Sequence, residues 1–263
     1  MGRPLLTRYA DLAGKVVLVT GAGRGIGRGI AFAFGAVGAT VIINDQDAAL
    51  AEDAAAAVRA AGGRGFAAVA DVGERASAEA MIDEIVARHG RLDVLVNNAG
   101  INPTARFLDL SQETWERMQR TNLWGLFHCG QPAARQMVAQ GGGSIVVIGS
   151  PACNETYTEQ THYAVAKAGL QMLAWGMAWE LAEFGVRTNV VHPGWIETEL
   201  NREYLWSDPQ LKDRILAQIP IRRTGQPEDV ARAVLWLCTD DAAYVNGASL
   251  NVDGGLVVGR VKV

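Results

Sequence analysis

Short apolar runs rich in β-branched residues alternate along the chain with alanine-rich stretches of helical period. The runs with the pattern of buried strands are Val16–Thr20, Thr40–Asn44, Gly65–Ala70, Val94–Asn97, Ser144–Ile148, Arg187–Val191 and Ala248–Val252. The helical stretches include Asp47–Ala61, Ala76–His89, Gln112–Ala139, His162–Phe184 and Pro227–Thr239. Apolar strands separated by helices predict a parallel sheet of about seven strands that is covered on both faces. Right-handed crossovers then give a doubly wound α/β fold, whose ligand binds at the carboxyl ends of the strands.

One polar stretch, Gly194–Gln226, interrupts this alternation and contains Trp195, Tyr204 and Trp206. Long irregular insertions in compact domains are commonly lids or binding loops. We therefore predict that this segment closes over a ligand. The three glycines at 141–143 lead directly into a predicted strand, so they indicate a loop and not a domain boundary. Residues 1–263 are accordingly predicted to form a single domain.

Composition narrows the class of protein and of partner. A length of 263 residues suits one α/β domain, and 49% hydrophobic residues supply a substantial core. The net charge of −4 and the absence of a Lys/Arg block argue against nucleic-acid or anionic-membrane partners. Without a transmembrane run or an apolar h-region near the start, we expect a cytoplasmic protein. Cys129, Cys153 and Cys238 are scattered and the histidines lack ligand-like spacing, so reduced thiols and no metal site are predicted.

A glycine cluster follows the first predicted strand. Gly21, Gly25 and Gly27 stand between that strand and a helical stretch, where the backbone can turn tightly and approach a pyrophosphate at the helix N-terminus. Asp45 ends the second predicted strand, where a carboxylate can accept from a ribose 2′-hydroxyl and repel a 2′-phosphate. Arg24 has the opposite implication, because a basic residue in the loop can pair with that phosphate. We favour NAD as the cofactor, with NADP as the alternative.

A second constellation combines a phenol, an ammonium and a hydroxyl. Tyr163 and Lys167 lie four residues apart on one helix, hence on one face, and Ser150 follows the fifth predicted strand. A cation beside a phenol favours the tyrosinate and lowers its pKa, which suits a general base. These groups can move a proton while a nicotinamide moves a hydride.

Taken together, these motifs resemble the short-chain dehydrogenase/reductase family, NAD(P)-dependent oxidoreductases with a Rossmann fold. The resemblance spans nearly the whole chain. Its landmarks are T-G-A-G-R-G-I-G from Thr20, N-N-A-G from Asn97, Asn122, Ser150, Y-A-V-A-K from Tyr163, Pro193-Gly194 with Thr198, and D-G-G from Asp253. It implies that residues 1–263 form one NAD(P)-binding domain, with a substrate loop around 194–226.

The resemblance also implies the roles of individual residues. Tyr163 is the acid/base, Ser150 holds the substrate oxygen, Lys167 binds the nicotinamide ribose and lowers the Tyr163 pKa, and Asn122 supports a water that links Lys167 to solvent. The residues expected to contact the cofactor, besides Tyr163 and Lys167, are Gly21, Arg24, Gly25, Ile26, Gly27, Asp45, Asp71, Val72, Asn98, Ala99, Gly100, Pro193, Gly194, Ile196 and Thr198.

Candidate substrate residues follow from their nearness to these motifs: Asn102, Asn154, His162, Trp195 and Asn201. His162 adjoins Tyr163 and therefore points roughly 100° away from it, toward the substrate rim, an interface or solvent. Polar groups of this kind suit a hydroxyl-rich small molecule. The stretch from Glu197 to Ala231 and the D-G-G-L ending resemble the sugar 1-dehydrogenase branch, which oxidises an aldose to its lactone.

Two other functions stay open. A 3-oxoacyl-thioester reductase is one, although Gly141 and Phe184 stand where reductases of acyl carrier protein, by resemblance, carry basic residues. A catalytically silent NAD-binding protein is the other, and the intact catalytic set argues against it. Trp175 and Trp179 form a stripe that fits either a core or a subunit interface, and the family resemblance implies a homotetramer.

Overall fold

The computed structural model describes residues 9–199 and 208–258, and the described residues form one parallel sheet between two helical layers. The strands are β1 (Val16–Val19), β2 (Thr40–Asp45), β3 (Arg64–Val69), β4 (Val94–Asn97), β5 (Gly143–Ile148), β6 (Val186–Pro193) and β7 (Ser249–Val252). Their order is β3-β2-β1-β4-β5-β6-β7. The predicted doubly wound α/β fold and its strands are therefore confirmed.

The helices cover both faces of the sheet. They are α1 (Gly25–Ala36), α2 (Ala48–Ala60), α3 (Arg75–His89), α4 (Gln112–Gln119), α5 (Gly125–Ala139), α6 (Thr161–Leu181), α7 (Pro209–Gln218) and α8 (Pro227–Leu237). Side chains alternate between the faces of a strand. In β1, Val17 and Val19 consequently join the core beneath α1 and α8, while Leu18 joins the core beneath α3 and α5.

The structure departs from the sequence prediction in three helical regions. The predicted helix Gln112–Ala139 is divided by a π-helical turn at Arg120–Trp124. The predicted irregular stretch after Gly194 contains α7, which Asp208 caps by accepting from Gln210 N at 2.9 Å. Trp175 and Trp179, the aromatic stripe on α6, were predicted to lie either in the core or at a subunit interface. A position in the core is wrong for the single chain, because Trp175 is 43% and Trp179 is 87% exposed.

The sheet order fixes where a ligand can bind. The chain passes from β1 to β2 on one side and later returns to β4 on the other side of β1. The loops after β1 and β4 therefore diverge and leave a crevice at the carboxyl ends of these strands. Within the described residues, no helix combines the length and apolar character needed to cross a bilayer.

Candidate active site

A cavity of about 780 Å³ lies along the carboxyl ends of the strands. It brings together most of the residues that sequence motifs predicted for cofactor and catalysis. Those on its wall are Gly21, Arg24, Gly25, Ile26, Asp45, Asp71, Val72, Asn98, Ala99, Gly100, Asn122, Ser150, Tyr163, Lys167, Pro193, Gly194, Ile196 and Thr198. Gly27 lies just behind the wall, in the first turn of α1.

The glycine loop between β1 and α1 is built by close approaches. Gly21 has a φ of +59°, and a Cβ there would lie 2.7 Å from the Cα of Ala99. A Cβ on Gly27 would lie 2.5 Å from both Gly21 O and the Nδ2 of Asn98. Side chains at either position would push the loop away from the sheet. The loop can thus bring main-chain N–H groups to the cavity wall, as a pyrophosphate requires.

The N-terminus of α1 already attracts an anionic group. Gly25 N donates to Oε2 of Glu199 at 3.3 Å, and Thr198 Cγ2 lies 3.5 Å from the position of a Cβ on Gly25. A carboxylate at this end of a helix is stabilised by the helix dipole. The contact shows the anion preference of the site where the glycine motif predicts a pyrophosphate.

Asp45 and Arg24 occupy the same end of the cavity. The Asp45 carboxylate accepts from Gly23 N at 3.2 Å and from Asp47 N at 3.1 Å, which fixes it at the end of β2. Arg24 precedes α1 and is exposed. Its guanidinium makes no hydrogen bond or ion pair with any residue the structure describes. The carboxylate is therefore fixed in place, whereas the guanidinium is not.

The buried hydroxyl of Thr20 joins the loops after β1 and β4. Thr20 Oγ1 accepts from Asn98 N at 2.9 Å and from Ala99 N at 3.0 Å. In return, Asn98 Nδ2 donates to Thr20 O and Gly21 O, each at 2.9 Å. Asn98 thus spans the crevice between β1 and β4. The clue in the sequence was the threonine that opens the T-G-A-G motif.

Asn122 lies in the π-helical turn and is fully buried. Its Oδ1 accepts from Ile101 N and its Nδ2 donates to Ile101 O, both at 2.8 Å. These paired bonds attach the chain after Gly100 to the helix. π-Turns are frequent at functional sites because they alter the spacing of side chains along one helical face.

Ser150, Tyr163 and Lys167 meet at the other end of the cavity. The Lys167 Nζ donates to Ile148 O at 2.9 Å and lies 5.6 Å from the centre of the Tyr163 ring. Burial raises the Tyr163 pKa, and a hydrogen bond with the Ser150 side chain partly opposes that rise. In the protein alone, burial and the Ser150 hydrogen bond account for the shift, and the lowering of this pKa by Lys167 stays a prediction.

Burial also acts on the lysine. It lowers the Lys167 pKa to about 8 from its ordinary 10.5. At neutral pH this residue is a buried cation held by a main-chain carbonyl. It is one helical turn from Tyr163, as the Y-x-x-x-K spacing predicts.

The five substrate candidates fall in different places. Asn102 and Trp195 line the cavity. Asn154 is exposed just after the turn Pro151–Cys153, off the cavity wall, and Asn201 lies outside the described residues. His162 is fully buried, and its Nε2 lies 2.7 Å from Pro103 O. A position at the rim, at an interface or in solvent is therefore wrong for the His162 side chain, which supports the loop after Asn102.

A buried polar cluster, formed by residues outside the recognised motifs, lies behind Ser150. His192 and Gln171 are 1% and 5% exposed, and Nε2 of His192 lies 2.8 Å from Oε1 of Gln171. His192 directly precedes the Pro193-Gly194 motif, and Gln171 lies one helical turn after Lys167. Among the described residues, no group of three or more His, Cys, Asp or Glu side chains could hold a metal ion.

Comparison with known proteins gives consistent matches over almost the full chain. A family model described as enoyl-(acyl carrier protein) reductase matches residues 21–257. The L-rhamnose 1-dehydrogenase (NAD(P)(+)) of Azotobacter vinelandii is 42% identical over 252 residues, covering 94% of this chain and 98% of the relative. The 3-oxoacyl-[acyl-carrier-protein] reductase FabG of Escherichia coli K12 is 40% identical, covering 94% and 98%.

A solved structure also overlays closely. The gluconate 5-dehydrogenase of Burkholderia cenocepacia, in complex with NADP and tartrate, matches with a TM-score of 0.89 and 38% sequence identity. The match covers 94% of this chain and 96% of that one.

Proposed function

The chain belongs to the short-chain dehydrogenase/reductase family, NAD(P)-dependent oxidoreductases that act on CH–OH groups, and we propose that it oxidises an aldose to its lactone. The observation that carries this proposal is one continuous cavity. A glycine loop lines one end, and Ser150, Tyr163 and Lys167 line the other. Asn102 and Trp195 complete the wall beside the catalytic groups.

We infer that a nicotinamide dinucleotide fits this cavity, because Gly21 and Gly27, where a Cβ would meet Ala99, Asn98 or Gly21, let the loop main chain pack closely at the cavity wall. Gly25 and Ile26 at the start of α1 would hold its pyrophosphate, and Asp45 its adenosine ribose. When bound, the nicotinamide ring supplies a hydride acceptor or donor. The chain itself supplies orientation and proton transfer.

The proton path follows from the three catalytic side chains. The Ser150 hydroxyl, which lines the cavity with Tyr163, orients the substrate oxygen toward the phenol. In oxidation, the tyrosinate takes the proton from the substrate hydroxyl as the carbon–hydrogen bond breaks. The Lys167 cation stabilises the tyrosinate electrostatically. In reduction, the same phenol returns the proton to the carbonyl oxygen.

A sugar substrate is supported by the polar wall and by the relatives. Asn102 is exposed on the cavity wall and supplies both hydrogen-bond donors and acceptors. Once a bound ligand covers such a group, it discriminates against a ligand that lacks the matching hydroxyl. The L-rhamnose 1-dehydrogenase relative acts on an aldose, and the gluconate 5-dehydrogenase neighbour is named for a sugar acid.

NAD as the preferred cofactor rests on Asp45. Its carboxylate is fixed by two main-chain N–H groups in the cavity wall, whereas Arg24 is exposed and not held. The relatives leave the choice open, since the rhamnose enzyme is named for NAD(P)+ and the gluconate enzyme was solved with NADP.

A second candidate is reduction of a 3-oxoacyl thioester, which the 40% identity to a FabG reductase favours. The surface argues against an acyl carrier protein as partner. Gly141 is exposed and uncharged, and Phe184 is 46% exposed, so neither supplies the cation that an acidic carrier would need.

Self-association is proposed to bury an aromatic face on α5 and α6. Phe127, Met172, Trp175 and Trp179 are between 41% and 87% exposed, and Trp124 precedes them at 51%. Large exposed apolar surfaces of this kind mark interfaces. A homotetramer, as the family resemblance implies, would cover them.

The test of function is a substrate panel with purified enzyme. We expect NAD reduction with an aldose such as L-rhamnose, and a lactone as the first product, identified by its mass and by its hydrolysis to the aldonic acid. Secondary alcohols, gluconate and a 3-oxoacyl thioester with reduced cofactor form the comparison set. Faster turnover of the thioester than of any sugar would reject the proposal in favour of the second candidate.

A further inference from the structure

The main chain at Ser150 is held by a side chain that has no part in the proton path above. Ser150 N donates to Nδ1 of His192 at 2.9 Å. His192 lies on β6, next to β5, and is 1% exposed. The preceding residue, Gly149, donates from its N–H to Val191 O at 2.7 Å. The end of β5 is thus fixed by one main-chain acceptor and one imidazole.

This geometry requires one form of the imidazole. Because Nδ1 accepts from Ser150, it carries no proton, and the proton of the neutral ring must be on Nε2. Nε2 lies 2.8 Å from Gln171 Oε1, which accepts it, and the Ser249 hydroxyl donates to the same oxygen at 3.0 Å. Burial and the Lys167 cation lower the His192 pKa, which keeps the ring neutral. A protonated ring could not accept from Ser150.

The fit between strand and ring leaves no space for other side chains. A Cβ on Gly149 would lie 2.5 Å from Nδ1 and 2.7 Å from Cε1 of His192. Glycine at this position therefore permits the imidazole to reach the strand end. The contact is specific to this pair and is not a loose van der Waals packing.

Gln171 connects His192 to α6, the helix that contains Tyr163 and Lys167. It is one turn beyond Lys167 on α6, and its Nε2 is buried without a hydrogen-bond partner among the described residues. A buried unsatisfied donor costs about 1–3 kcal/mol, and such groups call for an explanation. The oxygen of this amide is what orients His192. The end of β5 is thereby joined to α6 twice, through Lys167 to Ile148 O and through Gln171 and His192 to Ser150 N.

We propose that His192, oriented by Gln171, is a positioning residue that fixes the Ser150 hydroxyl relative to Tyr163 for the proposed dehydrogenase reaction. The inference rests on the proposed function for its kinetic consequences. Its structural part, the tautomer and the Ser150 hydrogen bond, is independent of which substrate is turned over. A displacement of about 1 Å in a catalytic constellation can cost on the order of a hundredfold in rate.

The kinetic test compares a variant that loses the acceptor with one that keeps it. His192→Leu removes the Nδ1 acceptor, and we expect kcat to fall by about tenfold or more while KM for NAD stays within about threefold. His192→Asn places an amide oxygen near the position of Nδ1 and should restore most of the loss. His89→Leu, the same exchange at the end of α3, is the matched control and should leave kcat unchanged.

The second test does not depend on activity. Long-range proton–nitrogen correlation on protein with nitrogen-15-labelled histidine should show His192 as the neutral Nε2–H tautomer. Hydrogen exchange of the Ser150 amide should be slow in wild type and in His192→Asn, and faster in His192→Leu. In Gln171→Met, the tautomer preference of His192 should weaken and kcat should fall by about threefold.

Four results would overturn the inference. They are an Nδ1–H tautomer, unchanged Ser150 exchange in His192→Leu, unchanged kcat in that variant, and an equal loss in His192→Asn, which would show that only packing was removed. Gln171→Met with wild-type kcat and tautomer would remove Gln171 from the assignment. If wild type turns over no sugar or alcohol, the proposed function fails, while the tautomer and exchange results still decide the structural part.

Discussion

Replacing Asp45 with serine is expected to move the preference of the enzyme from NAD toward NADP. The carboxylate is fixed at the end of β2 by the N–H groups of Gly23, at 3.2 Å, and Asp47, at 3.1 Å. It lines the cavity beside the glycine loop, where an adenosine ribose would lie. Serine replaces the charged acceptor for a 2′-hydroxyl with a shorter, neutral side chain, and it removes the charge that repels a 2′-phosphate.

The magnitude follows from the position of the carboxylate. Two unit charges about 4 Å apart repel by about 1 kcal/mol in water and about 4 kcal/mol at an effective dielectric constant of about 20. Asp45 is half-buried, so the value lies between these limits. Loss of a hydrogen bond to a charged acceptor weakens the binding of NAD by about 1.5–3 kcal/mol. Since about 1.4 kcal/mol is tenfold, the NADP/NAD ratio of kcat/KM should rise by at least on the order of a hundredfold.

The assay is steady-state cofactor reduction with one substrate and both cofactors. Asp47→Ser is the matched control, because serine also caps α2, where the Asp47 carboxylate now accepts from Ala49 and Leu50 N. This variant should keep the wild-type ratio within about twofold. Adding Arg24→Ala to Asp45→Ser should remove about tenfold of the NADP gain, because the exposed guanidinium would pair with the added phosphate.

Two outcomes would refute this reasoning. A wild-type ratio that favours NADP would show that Arg24 outweighs Asp45. An Asp45→Ser ratio no different from that of Asp47→Ser would show that the fixed carboxylate does not face the 2′ position.

Further predictions concern the catalytic pair, the glycine loop and the aromatic face. Tyr163→Phe should lower kcat by about 10²–10⁴-fold with little change in the Kd for NAD measured by calorimetry, and wild-type oxidation should rise with pH because burial raises the phenol pKa. The folded-state Lys167 pKa, about 8, lies below its ordinary 10.5, so the buried cation is destabilising below pH 8 and the penalty disappears as pH rises toward 10.5. Relative to wild type, urea unfolding of Lys167→Met should therefore show an advantage that shrinks by on the order of 1–3 kcal/mol between pH 7 and pH 10. Gly27→Ala should weaken NAD binding at least about tenfold by titration, since its Cβ would meet Gly21 O at 2.5 Å. Trp179→Glu should yield smaller assemblies in sedimentation velocity, and an unchanged sedimentation coefficient would reject the aromatic face as an interface.

The succession of apolar and periodic stretches along the sequence determined the fold and the position of the cavity. Each strand is a short apolar run and most helices, α7 excepted, are periodic stretches, so these elements can be predicted from neighbouring residues. Parallel strands in turn place the residues that end them, such as Asp45 and Ser150, on one edge of the sheet. The Tyr163–Lys167 pair was equally predictable, because a helix fixes the distance between residues four apart.

The tertiary structure decided what burial and long-range contact control. The π-helical turn at Arg120–Trp124 accompanies the pairing of Asn122 with Ile101, 21 residues earlier in the chain. No local period encodes such a turn. The rise of the Tyr163 pKa is a second example, because the spacing shows a cation nearby but not the desolvation that burial causes.

The cluster behind Ser150 depended entirely on the fold. His192 meets Ser150 across 42 residues of sequence and Gln171 across 21. Read along the chain, it is only a histidine before a proline. His162, next to the catalytic tyrosine in sequence, instead turns into the interior toward Pro103. Sequence gives a side chain its chemistry and its direction along one element, whereas its partners depend on how separate elements pack, which only the folded chain specifies.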